Sequence, residues 1–178
     1  MKALLLIAIA LLLVWIIKKS SFGNERKLLG EPAPAFNLKN SIKQSVTLKN
    51  FKGKWLVIYF YPKDDTPGCT KESCSFRDNF QSIQSLNASI VGISLDSTES
   101  HNLFQKKYGL PFILLSDPNG EVAKKYGALN NFIIFKFANR QSFIIDPEGI
   151  VRQVYRTVNP HSHSEEVIAD LKKLISNT

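Results

Sequence analysis

The chain is poor in sulfur, with two Cys and one Met in 178 residues. Two thiols cannot staple a disulfide scaffold and cannot supply a four-ligand zinc site. They are not separated by two residues, the spacing that puts both thiols of a disulfide reductase in one helical turn. A copper carrier of similar size would need a closer pair and a well-placed histidine, and neither is present. Internal repeats and low-complexity tracts are absent as well. So is the dense basic stripe with interleaved aromatics that a nucleic-acid surface needs. The pairs Lys106-Lys107, Lys124-Lys125 and Lys172-Lys173 are scattered and read as solvated helix faces. No nucleic-acid partner is expected.

Core material is plentiful. Hydrophobic residues make up 44% and charged residues 21% of the chain, and there are twelve Phe. That suits one globular domain with a short extension. The net charge is +8, and Lys2, Lys18 and Lys19 leave +5 of it for the rest.

The two cysteines, Cys69 and Cys74, carry the most information. The run Trp55-Leu56-Val57-Ile58-Tyr59-Phe60-Tyr61 reads as a strand buried on both faces. A Pro/Asp/Gly turn follows, and Cys69 falls where a helix should start. Backbone N–H groups converge at such a junction and favour a thiolate, so Cys69 reads as a nucleophile. Cys74 reads as the thiol that traps its oxidised form. On one helix the two Cα atoms would stand about 8–9 Å apart, beyond the ~7 Å a disulfide spans. Any bond between them requires local unwinding, which suits a redox switch better than a staple. Two unrelated buried thiols, or a structural disulfide, remain open on spacing alone.

Ala3 to Ile17 is an unbroken apolar run between Lys2 and Lys18-Lys19. A helix of this length spans about 22 Å against a hydrocarbon core of about 30 Å, a gap that snorkelling lysines can narrow. A cleaved signal has an apolar region of similar length, but no small-x-small site follows. The reading is a membrane anchor through residues 3–17 within segment 1–19, a linker over 20–30, and a domain over 31–178. Lys18, Lys19, Arg26 and Lys27 lean that domain towards the cytoplasm, with an exported form as the alternative.

Within the domain, short strands are expected at Phe36–Leu38 and Val46–Leu48. One helix is expected from about Cys69 to Leu86, with Phe76, Phe80, Ile83 and Leu86 on its buried face. A strand over Ala88–Leu95, a capped helix reaching Tyr108, a strand to Ser116 and a short helix to Tyr126 come next. A hairpin around Pro147-Glu148-Gly149 and a helix over Glu165–Ile175 close the chain. This alternation is α/β, one mixed sheet covered by helices on both faces. Tyr59 and Tyr61 read as packing residues, and His101, His161 and His163 as surface residues. His161-x-His163 has no third ligand, so no metal is expected.

Residues 31–175 resemble a peroxiredoxin of the bacterioferritin comigratory protein type, also called the Q subfamily. The segment Tyr59-Phe60-Tyr61-Pro62-Lys63-Asp64-Asp65-Thr66-Pro67-Gly68-Cys69-Thr70-Lys71-Glu72-Ser73-Cys74 carries the likeness. The opening Gly30-Glu31-Pro32-Ala33-Pro34-Ala35-Phe36 and the stretch Arg140-Gln141-Ser142-Phe143-Ile144-Ile145-Asp146 support it. The resemblance implies a thioredoxin-like fold and reduction of hydroperoxides without any cofactor. It implies Cys69 as the peroxidatic thiol, Thr66 holding peroxide and thiolate, Pro62 shielding the sulfur, and Arg140 swinging in to stabilise negative charge. Cys74 would resolve the sulfenic acid as an intrachain disulfide, reduced by thioredoxin or a similar dithiol protein. A monomer is expected. A redox sensor that passes its disulfide to a partner would use the same chemistry.

Two departures from the family pattern stand out. Asn130 to Ala138 is compact and aromatic, suited to core, to a dimer contact, or to an apolar patch by the active site. The N-terminal apolar run is the other. Together they suggest bulky or lipid hydroperoxides as substrates.

Overall fold

The computed structural model describes residues 28–131 and 135–177. Its centre is a seven-stranded mixed sheet. The strands are β1 (Asn37–Asn40), β2 (Ser45–Thr47), β3 (Trp55–Phe60), β4 (Ala88–Ser94), β5 (Ile113–Ser116), β8 (Gln141–Ile145) and β9 (Val151–Tyr155), in spatial order β2-β1-β5-β4-β3-β8-β9. β3, β4 and β5 run parallel, and the outer pairings are antiparallel. A small separate sheet pairs β6 (Leu129–Asn131) with β7 (Lys136–Ala138). The helices are α1 (Pro67–Asp78), α2 (Phe80–Ser85), α3 (Thr98–Tyr108), α4 (Glu121–Lys125) and α5 (His163–Ser176).

Strand periodicity divides the core in two. Leu56, Ile58 and Phe60 of β3 pack with Phe51, Val122 and Tyr126 on one face. Trp55, Val57, Tyr59 and Tyr61 pack with Phe76, Ile83, Phe104, Val167 and Leu171 on the other. Helices therefore cover both faces, as the alternating pattern implied. Every residue of β3 is buried, which accounts for its lack of polar alternation. Gly92 on β4 permits this packing: a Cβ there would lie 2.7 Å from the Tyr59 ring.

The single helix expected over 69–86 is two helices. Asn79 ends the first, because its side-chain amide donates to the Ser75 carbonyl at 3.1 Å and competes with the backbone ladder. The first helix also starts earlier, with Pro67 in its first turn, where the missing N–H costs nothing. Within the 130–138 stretch, Asn130 and Asn131 pair antiparallel with Phe137 and Lys136, Ala138 is buried and Phe135 is exposed; residues 132–134 lie outside the described residues.

Two of the three histidines read as surface residues are fully buried. His101 on α3 is held by Asp64, and His163 on α5 by Ser142. A lone histidine in a polar stretch carries no burial signal; a buried hydrogen-bond partner decided each case. His161 is exposed, as expected.

The expectation of a membrane-anchored protein is also corrected. Among the described residues no helix is long and apolar enough to cross a membrane. The Ala3–Ile17 run lies outside the described residues. The argument for lipid hydroperoxides loses that support. The chain joins the fold before residue 31: Leu28 packs against the core and the Gly30 N–H donates to the Val151 carbonyl at 2.8 Å.

Candidate active site

Three elements build the site. β3 delivers the chain to the turn 61–66 at its C-terminal end. α1 then begins, with Thr66 as the extended residue before it and Cys69 in its first turn. β8 lies antiparallel beside β3, with Gln141 paired to Phe60. That register sets Arg140 level with Tyr61, at the mouth of the same turn. Sheet topology thus brings together two residues 71 positions apart: Arg140 Nη2 donates to Cys69 Sγ at 3.3 Å. No swing of the arginine is needed. Gly68 leaves the space, since a Cβ there would stand 3.1 Å from the guanidinium.

Cys69 is 1% exposed, and Cys74 on the same helix is half-buried; both are free thiols. Thr66 and Pro62 are half-buried on the turn. The Thr66 hydroxyl donates to the Lys63 carbonyl at 3.0 Å, and its side chain does not cap the helix. Its proton is thereby directed into the turn while its oxygen lone pairs can still accept.

Glu72, one turn after Cys69, completes the arrangement and was not singled out from the sequence. Its signal was there: an acid three residues on shares a helix face with the cysteine. Arg140 Nη1 pairs with Glu72 Oε2, and the carboxylate is fully buried while Oε1 has no hydrogen-bond partner among the described residues. Burial pushes the Glu72 carboxyl up to about 7, against the pull of the Arg140 charge. Burial alone would lower the Arg140 guanidinium, but Glu72 and Cys69 more than offset it and the net direction is up. One guanidinium fork therefore serves two acids, an arrangement lysine cannot copy.

Behind the sulfur, Tyr59 is fully buried with its hydroxyl 3.1 Å from Ser73 Oγ. Further along α1, Ser75 Oγ lies 2.6 Å from Ser164 Oγ of α5, and the Asn79 amide donates to the same Ser164 oxygen at 3.1 Å. The second half of α1 is fixed to α5 by these bonds and by buried Phe76. A concave region of about 530 Å³ lies elsewhere, lined by Phe36, Asp117 and Lys125. A thiol, a guanidinium fork, a turn hydroxyl and a helix N-terminus suit a small polar oxidant.

Comparison with known proteins agrees with this geometry. Residues 29–154 match the AhpC/TSA family. The chain is 42% identical over 158 residues to the chloroplastic peroxiredoxin Q of Sedum lineare, covering 88% of this chain and 83% of that one. It is 42% identical over 147 residues to a putative bcp peroxiredoxin of Coxiella burnetii, covering 80% and 97%. A solved bacterioferritin comigratory protein of Xanthomonas campestris, studied for alkyl peroxide reduction, superposes with a TM-score of 0.74 at 35% identity, covering 78% and 90%.

Proposed function

The chain belongs to the AhpC/TSA family and is a peroxiredoxin-type thiol peroxidase; from that premise we propose that Cys69 is the atom carrier and Cys74 its resolving partner. The observation that carries the reading is the Arg140 guanidinium 3.3 Å from Cys69 Sγ at a helix N-terminus. The Cys69 thiolate attacks the terminal oxygen of a hydroperoxide. The S–O bond forms as the O–O bond breaks, and the departing alkoxide takes a proton to leave as alcohol or water. Arg140 and the uncapped N–H groups of the first turn of α1 face the charge that develops on the oxygens. Thr66 accepts from the peroxide O–H, and Pro62 limits access of water.

The Cys69 sulfenic acid then condenses with the Cys74 thiol, releasing water and forming an intrachain disulfide. The free thiols sit in a wound helix, so residues before Ser75 must unwind first. The Ser75–Ser164 contact and buried Phe76 set the end of the unwinding segment. A dithiol protein such as thioredoxin restores both thiols by exchange. Hydrogen peroxide and organic hydroperoxides are the substrate class. Every group of the site comes from one chain, so a monomer suffices.

Intact-mass measurement of the reduced protein before and after one equivalent of hydrogen peroxide tests this. The expected product is lighter by two hydrogens and carries a Cys69–Cys74 bond. A protein that leaves both thiols free after treatment overturns the reading.

A further inference from the structure

The turn that precedes Cys69 is fastened by unusual means. Asp64 is buried, and its carboxylate accepts from the Tyr61 hydroxyl at 2.7 Å and from Ser100 Oγ at 2.7 Å. His101 Nδ1 lies 2.9 Å from the same oxygen that Ser100 reaches. The Asp64 backbone N–H donates to Asp96 Oδ2 at 2.9 Å, and Ser94 Oγ fixes that carboxylate at 2.6 Å. The next residue, Asp65, holds the left-handed conformation with φ 56°, which a side chain other than glycine disfavours. Its carboxylate accepts from Lys107 Nζ and the Tyr108 hydroxyl, both at 2.6 Å. Ser100 and His101 belong to the start of α3, and Lys107 and Tyr108 to its end. Two adjacent carboxylates thus clip one turn to both ends of one helix.

This fastening is costly. A carboxylate and an imidazole are sunk in the interior, and His101 Nε2 is left buried without a partner among the described residues. A turn rich in Pro, Asp and Gly forms without such help, and the Thr66–Lys63 bond already closes it. The expense falls on the segment that carries Pro62 and Thr66. Cys69 is fixed separately, by α1 and by Arg140.

We propose that Asp64, held by His101 and Ser100, is a positioning residue for the peroxidase reaction, fixing the 62–66 turn so that the Thr66 hydroxyl faces a peroxide at Cys69. The role rests on the function proposed above. It separates two properties of one sulfur. Reaction with peroxide needs the turn in place, whereas alkylation by iodoacetamide needs only an accessible thiolate.

The test uses the reduced full chain, wild type and the variants Asp64→Asn, His101→Leu, His101→Asn and Ser100→Ala. Oxidation of Cys69 by hydrogen peroxide is followed in a single turnover, alkylation of Cys69 by peptide mass mapping, and folding by thermal melting. Asp64→Asn and His101→Leu are expected to slow oxidation by about tenfold or more, in line with the loss of an aligned group. Alkylation should not fall by more than about twofold, since neither residue touches the sulfur and a loosened Pro62 can only open access to it. His101→Asn keeps a donor near the position of Nδ1 and should recover most of the oxidation rate. If Asp64→Asn does not fold, Ser100→Ala removes one donor to the same oxygen and carries the same comparison. Oxidation and alkylation falling together overturn the positioning role, as does a lowered melting temperature with both rates unchanged. A wild-type Cys69 that resists peroxide overturns the proposed function itself; an oxidised wild type matched by its variants overturns the positioning role alone.

Discussion

Arg140 and Glu72 form an ion pair beside Cys69 in which the carboxylate is fully buried and the guanidinium 19% exposed. The pair is directional. With Nη1 on Glu72 and Nη2 on Cys69, the planar fork cannot rotate away from the sulfur without leaving a buried carboxylate unpaired. Under the proposed mechanism, Glu72 acts on the reaction through the arginine.

Arg140→Lys is expected to slow the first oxidation of Cys69 by about a hundredfold, the loss typical when one aligned donor to a developing anion is removed. A lysine keeps the charge but cannot reach two acceptors in one plane. Stopped-flow measurement of the second-order rate with hydrogen peroxide checks this. A lysine variant within about threefold of the wild type would mean that charge alone suffices.

Glu72 gives the protein a pH-dependent stability. The folded carboxyl titrates at about 7 against an ordinary 4.5. Between those values the folded protein holds a proton that the unfolded chain has released. Raising the pH through this window therefore favours unfolding, and the loss is complete above 7. Its size is about 3 kcal/mol by linkage. Glu72→Gln should remove that slope, so urea unfolding at pH 5 and pH 8 will show the wild type losing stability relative to the variant. Parallel curves for the two proteins would contradict the buried-carboxyl account.

Cys74→Ser should leave one turnover of Cys69 intact and stop recycling by a dithiol reductant. With no partner thiol, the sulfenic acid persists and a second equivalent of peroxide carries it to sulfinic acid. Intact mass should then show the addition of two oxygens in the variant, where the wild type shows a loss of two hydrogens. A Cys74→Ser protein that still recycles at the wild-type rate would exclude Cys74 as the resolving thiol.

Much of this architecture was legible before any coordinates. The β3 run announced a central strand because all of its residues are apolar, and all are buried. The Asp/Pro/Gly turn located the helix start within two residues, because the proline belongs to the first helical turn. Arg140 was reachable only through the family resemblance, since 71 positions separate it from Cys69 and only the β3–β8 register closes that distance. The break at Asn79 was missed because Phe76, Phe80, Ile83 and Leu86 keep helical spacing across it. The apolar pattern does not register a side-chain amide that takes a backbone carbonyl. His101 and His163 were misread for a related reason: their burial depends on Asp64 and Ser142, which only the fold brings within reach.

His163 supplies the opposite pH slope. It is buried, with Nε2 2.8 Å from Ser142 Oγ, and its ring packs edge-on against Phe76 and Tyr155. Burial lowers its tendency to take a proton; Glu166 opposes this and Arg140 reinforces it, and the net direction is down from 6.5. For a base titrating lower in the folded state, the stability it contributes is present above 6.5 and is lost as pH falls through the folded value. Protonation would also place a second cation behind Arg140 and strain the contact between α5 and Phe76 of α1. The two windows overlap: Glu72 removes stability as pH rises from 4.5 to about 7, whereas His163 restores it as pH rises towards 6.5, so in the wild type the opposing slopes offset each other over the shared range. His163→Gln should steepen the net loss of stability between pH 4.5 and about 7, because Glu72 is then unopposed, and Glu72→Gln should leave stability rising with pH up to 6.5. Unfolding free energies at half-unit intervals from pH 4.5 to 8 will separate the two. A profile unchanged in His163→Gln would assign the opposing slope to other groups.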